Sequence, residues 1–543
     1  MSHYRPHNPP SPLLIGYDPF RDLPFDHLAR LIEQVVDETV KPPQRQPGVG
    51  QPPYSPRLCV KILIYSYCIG VRSSRVMERQ CHESLPYLYL TRGDAPSYRT
   101  LCTARTQQGE YVEAVWVGLF SVAAAAGIER LGRIAIDSTK LRANASPDAV
   151  VKQEEYAALR EELERIQAEV ARIDALEEAE GSAGQTRTGK TVPHEQMRDI
   201  LRRVRRQQRE ARREQRTRPA EASESGDAPT LPLEDLPAAP PAAPAPATTA
   251  SASEPEPEPK AMSPQMLKQV ADALKAVQEA EAEGRKHLCL TDPDARMMFG
   301  ERHRGLRESH SFEVAADNGL LVAAEATQEP SDQRRLEALV AAAQEHEPEG
   351  VQAVDADSGY YSGEALIPLL RAGIDTCIPD SSTAADVHQG QPVGTTQNRS
   401  RGTVPFTYDA EADLYRCPEG NELVRDCRRR AAGQQVTVYR AVQPCTDCPR
   451  RAECLTQKNA QFRNLSVPAE QELLQAARDR FDDPAHRKRY HHRGEQVETV
   501  FGFLKGTLGF NRWWLRGKEK VAVEAKFFKA AYQFRKVHKA WAG

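Results

Sequence analysis

Residues 487–505 read Arg487-Lys-Arg-Tyr490-His-His-Arg493-Gly-Glu495-Gln-Val497-Glu498-Thr-Val500-Phe501-Gly-Phe-Leu504-Lys505. The run continues to residue 517 as Gly-Thr-Leu-Gly509-Phe510-Asn511-Arg512-Trp513-Trp514-Leu515-Arg516-Gly517. From Arg487 to Lys539 there are fourteen Lys or Arg against four Glu, a local charge of +10 (14 − 4), in a chain of net charge −3. Basic residues interleaved with Tyr, Phe and Trp suit a polyphosphate partner. Val497, Val500, Phe501 and Leu504 recur at helical spacing, which predicts an amphipathic helix with Glu498 near its start. A carboxylate inside a phosphate-binding surface repels the ligand unless a divalent cation stands between them.

Partners for Glu498 are sought upstream, where acids follow apolar runs. Leu131-Gly-Arg-Ile-Ala-Ile-Asp137-Ser-Thr-Lys140 predicts a short buried strand carrying Asp137 at its last position. A turn or a helix N-cap is the structural alternative for the same residue. Gly350-Val-Gln-Ala-Val-Asp355-Ala-Asp357-Ser-Gly-Tyr360 predicts a second such strand, then a Gly turn and a helix from about Ser362. Asp355 and Asp357 share side-chain parity on a strand, so both are candidates there. Between these segments, Ser311 to Ala324 reads as a β-hairpin around Asp317-Asn318-Gly319, which makes Asp317 a turn residue.

Tyr490, Arg493, Glu498 and Lys505, at intervals of three, five and seven, resemble the signature of the DDE transposases of bacterial insertion sequences. The likeness is to the branch with Val-Glu-x-Val-Phe-Gly, followed by Gly-Phe-x-Arg (Gly509 to Arg512) and Leu-Arg-Gly (Leu515 to Gly517). Asp137-Ser-Thr-Lys and Asp357-Ser-Gly-Tyr are similar to the texts around that family's first and second catalytic aspartates, which selects Asp357 over Asp355. Ser55-Pro-Arg, Tyr65, Tyr67, Gly70 to Ser74 and Glu78 resemble its helical N-terminal domain, and Leu290 to Met298 a motif at re-entry to its core; Asp292 and Asp294 take structural or DNA-positioning roles there.

The resemblance implies an α/β (mixed) fold with an RNase H-like catalytic core. It implies that Asp137, Asp357 and Glu498 are catalytic and bind Mg²⁺ (or Mn²⁺), with Glu495 the next candidate for the third acid. It implies that Tyr490, Arg493, Lys505, Arg512 and Arg516 contact DNA. The partner is then double-stranded DNA, the element's terminal inverted repeats and the target, held by a homodimer. The reaction is two-metal DNA strand cleavage followed by 3′-OH strand transfer. Trp513 and Trp514 stack on a flipped base or pack in the core. Two other readings use much of the same sequence: a catalytically inactive or domesticated DNA-binding protein, and a metal-dependent DNA nuclease.

The remaining segments divide by composition. Residues 1–24 are Pro-rich and irregular, and 25–128 read as a helical N-terminal, DNA-end-binding domain whose first helix is capped by Asp26. Residues 129–149 and 286–400 are the two parts of the core, and 466–543 its basic helical end. Residues 150–285 are a helical insertion. There Tyr156, Leu159, Leu163, Ile166, Val170 and Ile173 form a heptad stripe that pairs with 263–285 as a hairpin or mediates self-association. Nine Arg between Leu201 and Arg218 form a DNA-contacting helix or a solvated charged face. Pro219 to Pro259, with eleven Pro, eleven Ala, eight acids and no Lys or Arg, is expected to be disordered.

Residues 401–465 form a Cys-rich, zinc-ribbon-like insertion. Cys417, Cys445, Cys448 and Cys454 carry Cys-Pro-x-Gly and Cys-x-x-Cys knuckles that suit a closed tetrahedral Zn²⁺ site, with Cys427 as a substitute ligand and Thr437 to Tyr439 as a strand. Cys59, Cys68, Cys81 and Cys102 lack ligand spacing and read as packing residues. The chain has 543 residues, 40% hydrophobic and 27% charged, enough for several cores. No apolar run reaches the ~18–20 residues that cross a bilayer, which argues against a membrane partner. The N-terminus lacks a secretory pattern and the eleven Cys are an odd number, so the expected location is cytoplasmic and nucleoid-associated, with reduced thiols.

Overall fold

A computed structural model describes residues 18–42, 52–179, 197–217, 264–300, 305–395, 406–409, 411–431, 434–455, 459–468 and 470–542. The readings of residues 1–17 and of the 219–259 segment lie outside the described residues. Contacts divide the chain into two units, Met1–Ala145 with Asp294–Gly543, and Ser146–Pro293. The expected mixed α/β class is observed in the helices and sheets of these units.

The first unit opens with helices α1 (Pro19–Asp22), α2 (Leu28–Thr39), α3 (Pro56–Cys68), α4 (Ser74–Glu83), α5 (Leu85–Thr91), α6 (Tyr98–Gln107) and α7 (Gly109–Ala125). The cap of α2 is His27, whose Nδ1 accepts from the Ala29 amide at 3.1 Å, and not Asp26 as the sequence suggested. Pro56 opens α3, where its fixed φ costs no hydrogen bond. From Leu58 to Cys68 every residue of α3 is buried, so it runs through the core with no solvated face. Gly70, at φ 75°, turns the chain out of it.

The second unit contains strands β2 (Val150–Lys152) and β3 (His287–Cys289), paired antiparallel, and helices α8 (Tyr156–Ala179), α9 (Met197–Thr217) and α10 (Pro264–Ala282). Tyr156, Leu159, Leu163, Ile166 and Val170 of α8 share one core with Val270, Ala273 and Val277 of α10. The hairpin alternative for the heptad stripe is therefore the one observed. Ile200, Leu201 and Val204 of α9 close the same core.

The main sheet of the first unit is built on β1 (Arg133–Arg142). It pairs antiparallel with β5 (Leu306–Asp317) and parallel with β7 (Ala353–Asp355), which is in turn parallel to β8 (Asp375–Cys377). β4 (Arg296–Phe299) and β6 (Leu320–Thr327) follow one another along the outer edge of β5. Helices α11 (Leu336–Gln344), α12 (Gly363–Arg371) and α13 (Ser381–His388) follow their strands. β1 does not stop at Asp137: it stays paired with β5 through Arg142, so Asp137 is a mid-strand residue. The β5–β6 hairpin turns on Asn318 (φ 48°) and Gly319 (φ 75°). Asp317 is not a surface turn residue; it is 1% exposed, and its Oδ2 accepts from the Leu131 and Gly132 amides, which ties down the start of β1.

β9 (Thr407–Asp409), β10 (Leu414–Arg416), β11 (Glu422–Ala431), β12 (Gln434–Ala441) and β13 (Asn464–Pro468) form a separate five-stranded antiparallel sheet, with the one-turn helix α14 (Arg451–Cys454) between β12 and β13. The expected strand at Thr437 to Tyr439 belongs to β12, in a sheet larger than a ribbon. Helices α15 (Gln471–Asp479), α16 (Pro484–Gly502) and α17 (Lys518–Trp541) follow, with a π-helical turn at Phe503–Thr507. Glu498 sits near the C-terminal end of α16, because Asp483 and Pro484 start that helix fourteen residues earlier (498 − 484). α17 packs on α7, α3 and β6, so one core joins the N-terminal helices to the sheet. Its centre is aromatic: Phe528 stacks on Phe510 and on Trp513, with centroids 3.7 Å and 5.0 Å apart.

Candidate active site

Asp137 and Asp357 come together where β1 and β7 run side by side. Asp137 leaves the middle of β1, half-buried, with Oδ1 accepting from the Ser138 amide at 2.7 Å. Asp357 follows β7 by two residues and caps the 3₁₀ turn Ser358–Tyr360, its Oδ1 accepting from the Gly359 amide at 2.9 Å. Burial pushes the Asp137 carboxyl up to about 6, and the neighbouring Asp357 charge adds to the shift. Arg493 opposes it, with Nη1 3.9 Å from Asp137 Oδ2. Two acids held together in a partly dry site form a hard-oxygen donor set that a divalent cation would relieve.

α16 lies across this face and supplies two arginines one turn apart. Arg489 pairs with the buried Asp355 and with Asp375, so Asp355 is consumed by a structural ion pair. Arg493 reaches Asp137 instead. Its Nε and Nη1 are buried and make no hydrogen bond, a pair of donors aimed at an anion. Tyr490 is only 4% exposed, wedged against Phe481, and the Arg493 guanidinium lies 5.5 Å from its ring centre. It packs on Phe481 and lies beside the Arg493 guanidinium. Lys505 Nζ donates to Thr139 Oγ1 on β1, and burial lowers its pKa against the pull of Asp137. Beyond the end of β1, Arg512 and Arg516 both hold Asn144, at 3.1 Å and 2.8 Å.

Glu498 is exposed on the same helix. Its side chain folds back over Gly494, where an added Cβ would stand 3.3 Å from Oε1. Glu495 is 76% exposed in its side chain and engages His492 at 2.8 Å. Among the described residues no group of three or more His, Cys, Asp or Glu side chains is arranged to hold a metal ion. Glu498 is thus not gathered with the two aspartates.

The same test applies to the cysteines. Cys417, Cys445, Cys448 and Cys454 line one cavity of about 250 Å³, and the Asn421 amide approaches Cys417 Sγ at 3.3 Å. They are not arranged as a metal-holding group, so the zinc expectation gains no support. Cys427 is exposed on β11 and is absent from the cavity lining.

Asp332 is the site residue the sequence reading missed. It opens the 3₁₀ turn Asp332–Arg334 and accepts from Lys140 Nζ at 2.6 Å and from Ser138 Oγ at 3.0 Å. Its charge reaches Asp137. In sequence it is indistinguishable from an ordinary helix-start acid after Pro330-Ser331. The only available signal was Lys140, a basic residue on the strand of Asp137 that requires an acid nearby.

Residues 416–538 match the family described as Transposase DDE domain, and residues 18–107 match the Transposase domain DUF772. These two matches support a DDE transposase of insertion-sequence type. No curated protein matches it. The transposase family implies a DNA substrate and divalent-metal use. The DDE match includes Arg493, Glu498 and Lys505, and β1 and β7 lie outside it. No described helix of the transposase is long and apolar enough to cross a membrane.

Proposed function

We propose that this transposase binds the terminal inverted repeats of its element, nicks the DNA there and joins the freed 3′ end to a target. The observation that carries the reading is the Asp137–Asp357 pair facing Arg493. The mixed sheet, with one acid on β1 and the other just after its parallel neighbour β7, supports an RNase H-like core.

Asp137 and Asp357 would hold a divalent cation, Mg²⁺ or Mn²⁺, and Glu498 would join them when DNA is bound. Such an ion lowers the pKa of water or of a 3′-hydroxyl and stabilises the leaving oxygen. The chain's own part is positional. Arg493, seated by Tyr490, turns Nε and Nη1, which make no hydrogen bond within the protein, to a non-bridging phosphate oxygen. Lys505 holds a second charge over β1, and Arg512 and Arg516 carry the backbone past Asn144. No protein nucleophile is required, because water and then the 3′-hydroxyl attack phosphorus. Joining two ends calls for a homodimer on DNA, acting at the nucleoid.

The test is a cleavage and strand-transfer assay on DNA carrying the flanking repeats, with Mg²⁺ or Mn²⁺. Wild type nicks at the repeat boundary and joins the 3′ end; Asp137→Ala, Asp357→Ala and Glu498→Ala bind and do neither. Binding by wild type with no cleavage under either metal transfers the case to an inactive DNA-binding protein. Hydrolysis without joining transfers it to a nuclease.

A further inference from the structure

The second unit carries a basic surface that the active site does not use. Helix α9 has nine Arg against Asp199, Glu210 and Glu214, a net charge of +6 (9 − 3). Its apolar residues Ile200, Leu201 and Val204 are buried in the core shared with α8 and α10. At 100° per residue, Arg198, Arg202, Arg205, Arg206 and Arg209 fall within an arc of about 100°, away from Ile200 and Val204. A solvated helix spreads its charges over its open face and mixes their signs, as α8 does with Glu164, Arg165, Glu169 and Arg172. In α9 five of the six arginines with described side chains are gathered on one line, and Arg203 lies beside it.

The unit neutralises only the margins of this line with its own acids. Arg203 is drawn to Glu162 on α8, and Arg205 to Glu155 with the Val150 carbonyl behind it. Arg198, Arg202 and Arg206 have side chains 60%, 70% and 74% exposed, and their ion pairs are the exposed contacts with Asp199 and Glu210 at 3.5 Å to 3.9 Å. Exposed pairs of this length contribute little and yield readily to a stronger anion. Where the line meets β2 and β3, an open cavity of about 420 Å³ is bordered by Arg205, Arg209, Lys152 and His287, with Glu154 and Glu155 also in its lining and Glu155 engaged by Arg205. Lys152 on β2 and His287 on β3 thus stand beside Arg205 and Arg209 of α9. From Arg198 to Arg209 the helix advances about 16 Å, enough to follow several phosphates of one strand.

We infer that the arginine face of α9 is a second DNA-binding surface of this protein, which grips duplex phosphates independently of base sequence and apart from the catalytic acids. The choice of DNA as the polyanion rests on the transposase reading.

The experiment uses the full chain and a random-sequence duplex, with affinity measured as a function of salt. Arg198→Gln, Arg202→Gln, Arg206→Gln and Arg209→Gln are combined in one variant. Lys268→Gln with Lys275→Gln, which removes charge from α10, is the control. Thermal melting verifies that each protein is folded. The inference expects the four-Arg variant to lower the slope of log K against log salt by about 2 to 4, near 0.9 per lost phosphate contact, and to lose at least tenfold in affinity at low salt. The control keeps the wild-type slope. A four-Arg variant that binds with the wild-type slope overturns the inference and leaves the transposase reading intact. A wild type that binds no duplex at all overturns both.

Discussion

Asp137 and Asp357 obey the register of the strands that carry them. The parallel pairs of β1 and β7 are Arg133–Ala353, Ile134–Val354 and Ala135–Asp355, each 220 residues apart, and 357 − 137 is also 220. Asp357 keeps an extended backbone two residues beyond Asp355, so both acids fall on the face of Ala135 and Asp355. The arginines of α16 repeat that spacing as a helical turn: Arg489 meets Asp355, and Arg493 meets Asp137.

The site strains the metal-free protein. Asp137 titrates near 6 when folded and near the ordinary 3.8 when unfolded, so its contribution is full below pH 3.8 and declines as pH rises to 6. Two pH units correspond to roughly 3 kcal/mol. Asp137→Asn should therefore melt with wild type near pH 4 and well above it at pH 7. Mg²⁺ should raise the wild-type melting temperature and leave the variant unmoved. A variant less stable than wild type at pH 7 would show that the carboxyl carries no such strain.

His486 works in the opposite sense. Burial, then the Arg489 charge, lowers its pKa to about 4 from 6.5. Its contribution is full above pH 6.5 and is lost as pH falls toward 4. An NMR titration of the His486 ring should show it neutral at pH 5.5, and a ring already protonated there contradicts the burial argument.

Arg489 stands between the buried Asp355 and Asp375. Arg489→Met leaves a carboxylate buried without its partner, at a cost of about 3–5 kcal/mol. Chemical denaturation at pH 7 measures it. Arg489→Met with Asp355→Asn should recover most of the loss, and no recovery would mean that Arg489 acts through packing alone.

The two tryptophans should separate cleanly. Trp513 is fully buried, stacks on Phe528 and donates from Nε1 to the His310 carbonyl, so Trp513→Ala should cost about 3–5 kcal/mol. Trp514 is 41% exposed beside Arg72 and Arg512. Trp514→Ala should change stability by under about 1 kcal/mol and weaken DNA binding. Equal losses of stability in the two variants would reject this division.

Gly494 occupies a helix interior, where Gly costs about 0.5–1 kcal/mol relative to Ala. Gly494→Ala should recover that much while pressing on Glu498 Oε1. If Glu498 serves in cleavage, the variant is more stable and slower; an unchanged rate argues that the Glu498 rotamer at rest is immaterial.

Local chemistry was legible along the chain. Helical spacing around Val497 and Val500, the Asn318-Gly319 turn and the acids after apolar runs each act within a few residues, where backbone sterics and periodicity decide the outcome. The hairpin of α8 with α10 was legible for the same reason, because an apolar stripe must be covered. Tertiary structure decided which acid serves which purpose. Asp355 and Asp357 share parity in sequence, and only the approach of Arg489 consumes one of them. Asp317 looked like a turn residue until the Leu131 and Gly132 amides claimed it, and Asp332 like a cap until Lys140 did. The length of β1 beyond Asp137 was set by β5, and the burial of Tyr490 by Phe481. These outcomes depend on contacts between residues far apart in the chain, and no local pattern encodes which charge will meet which.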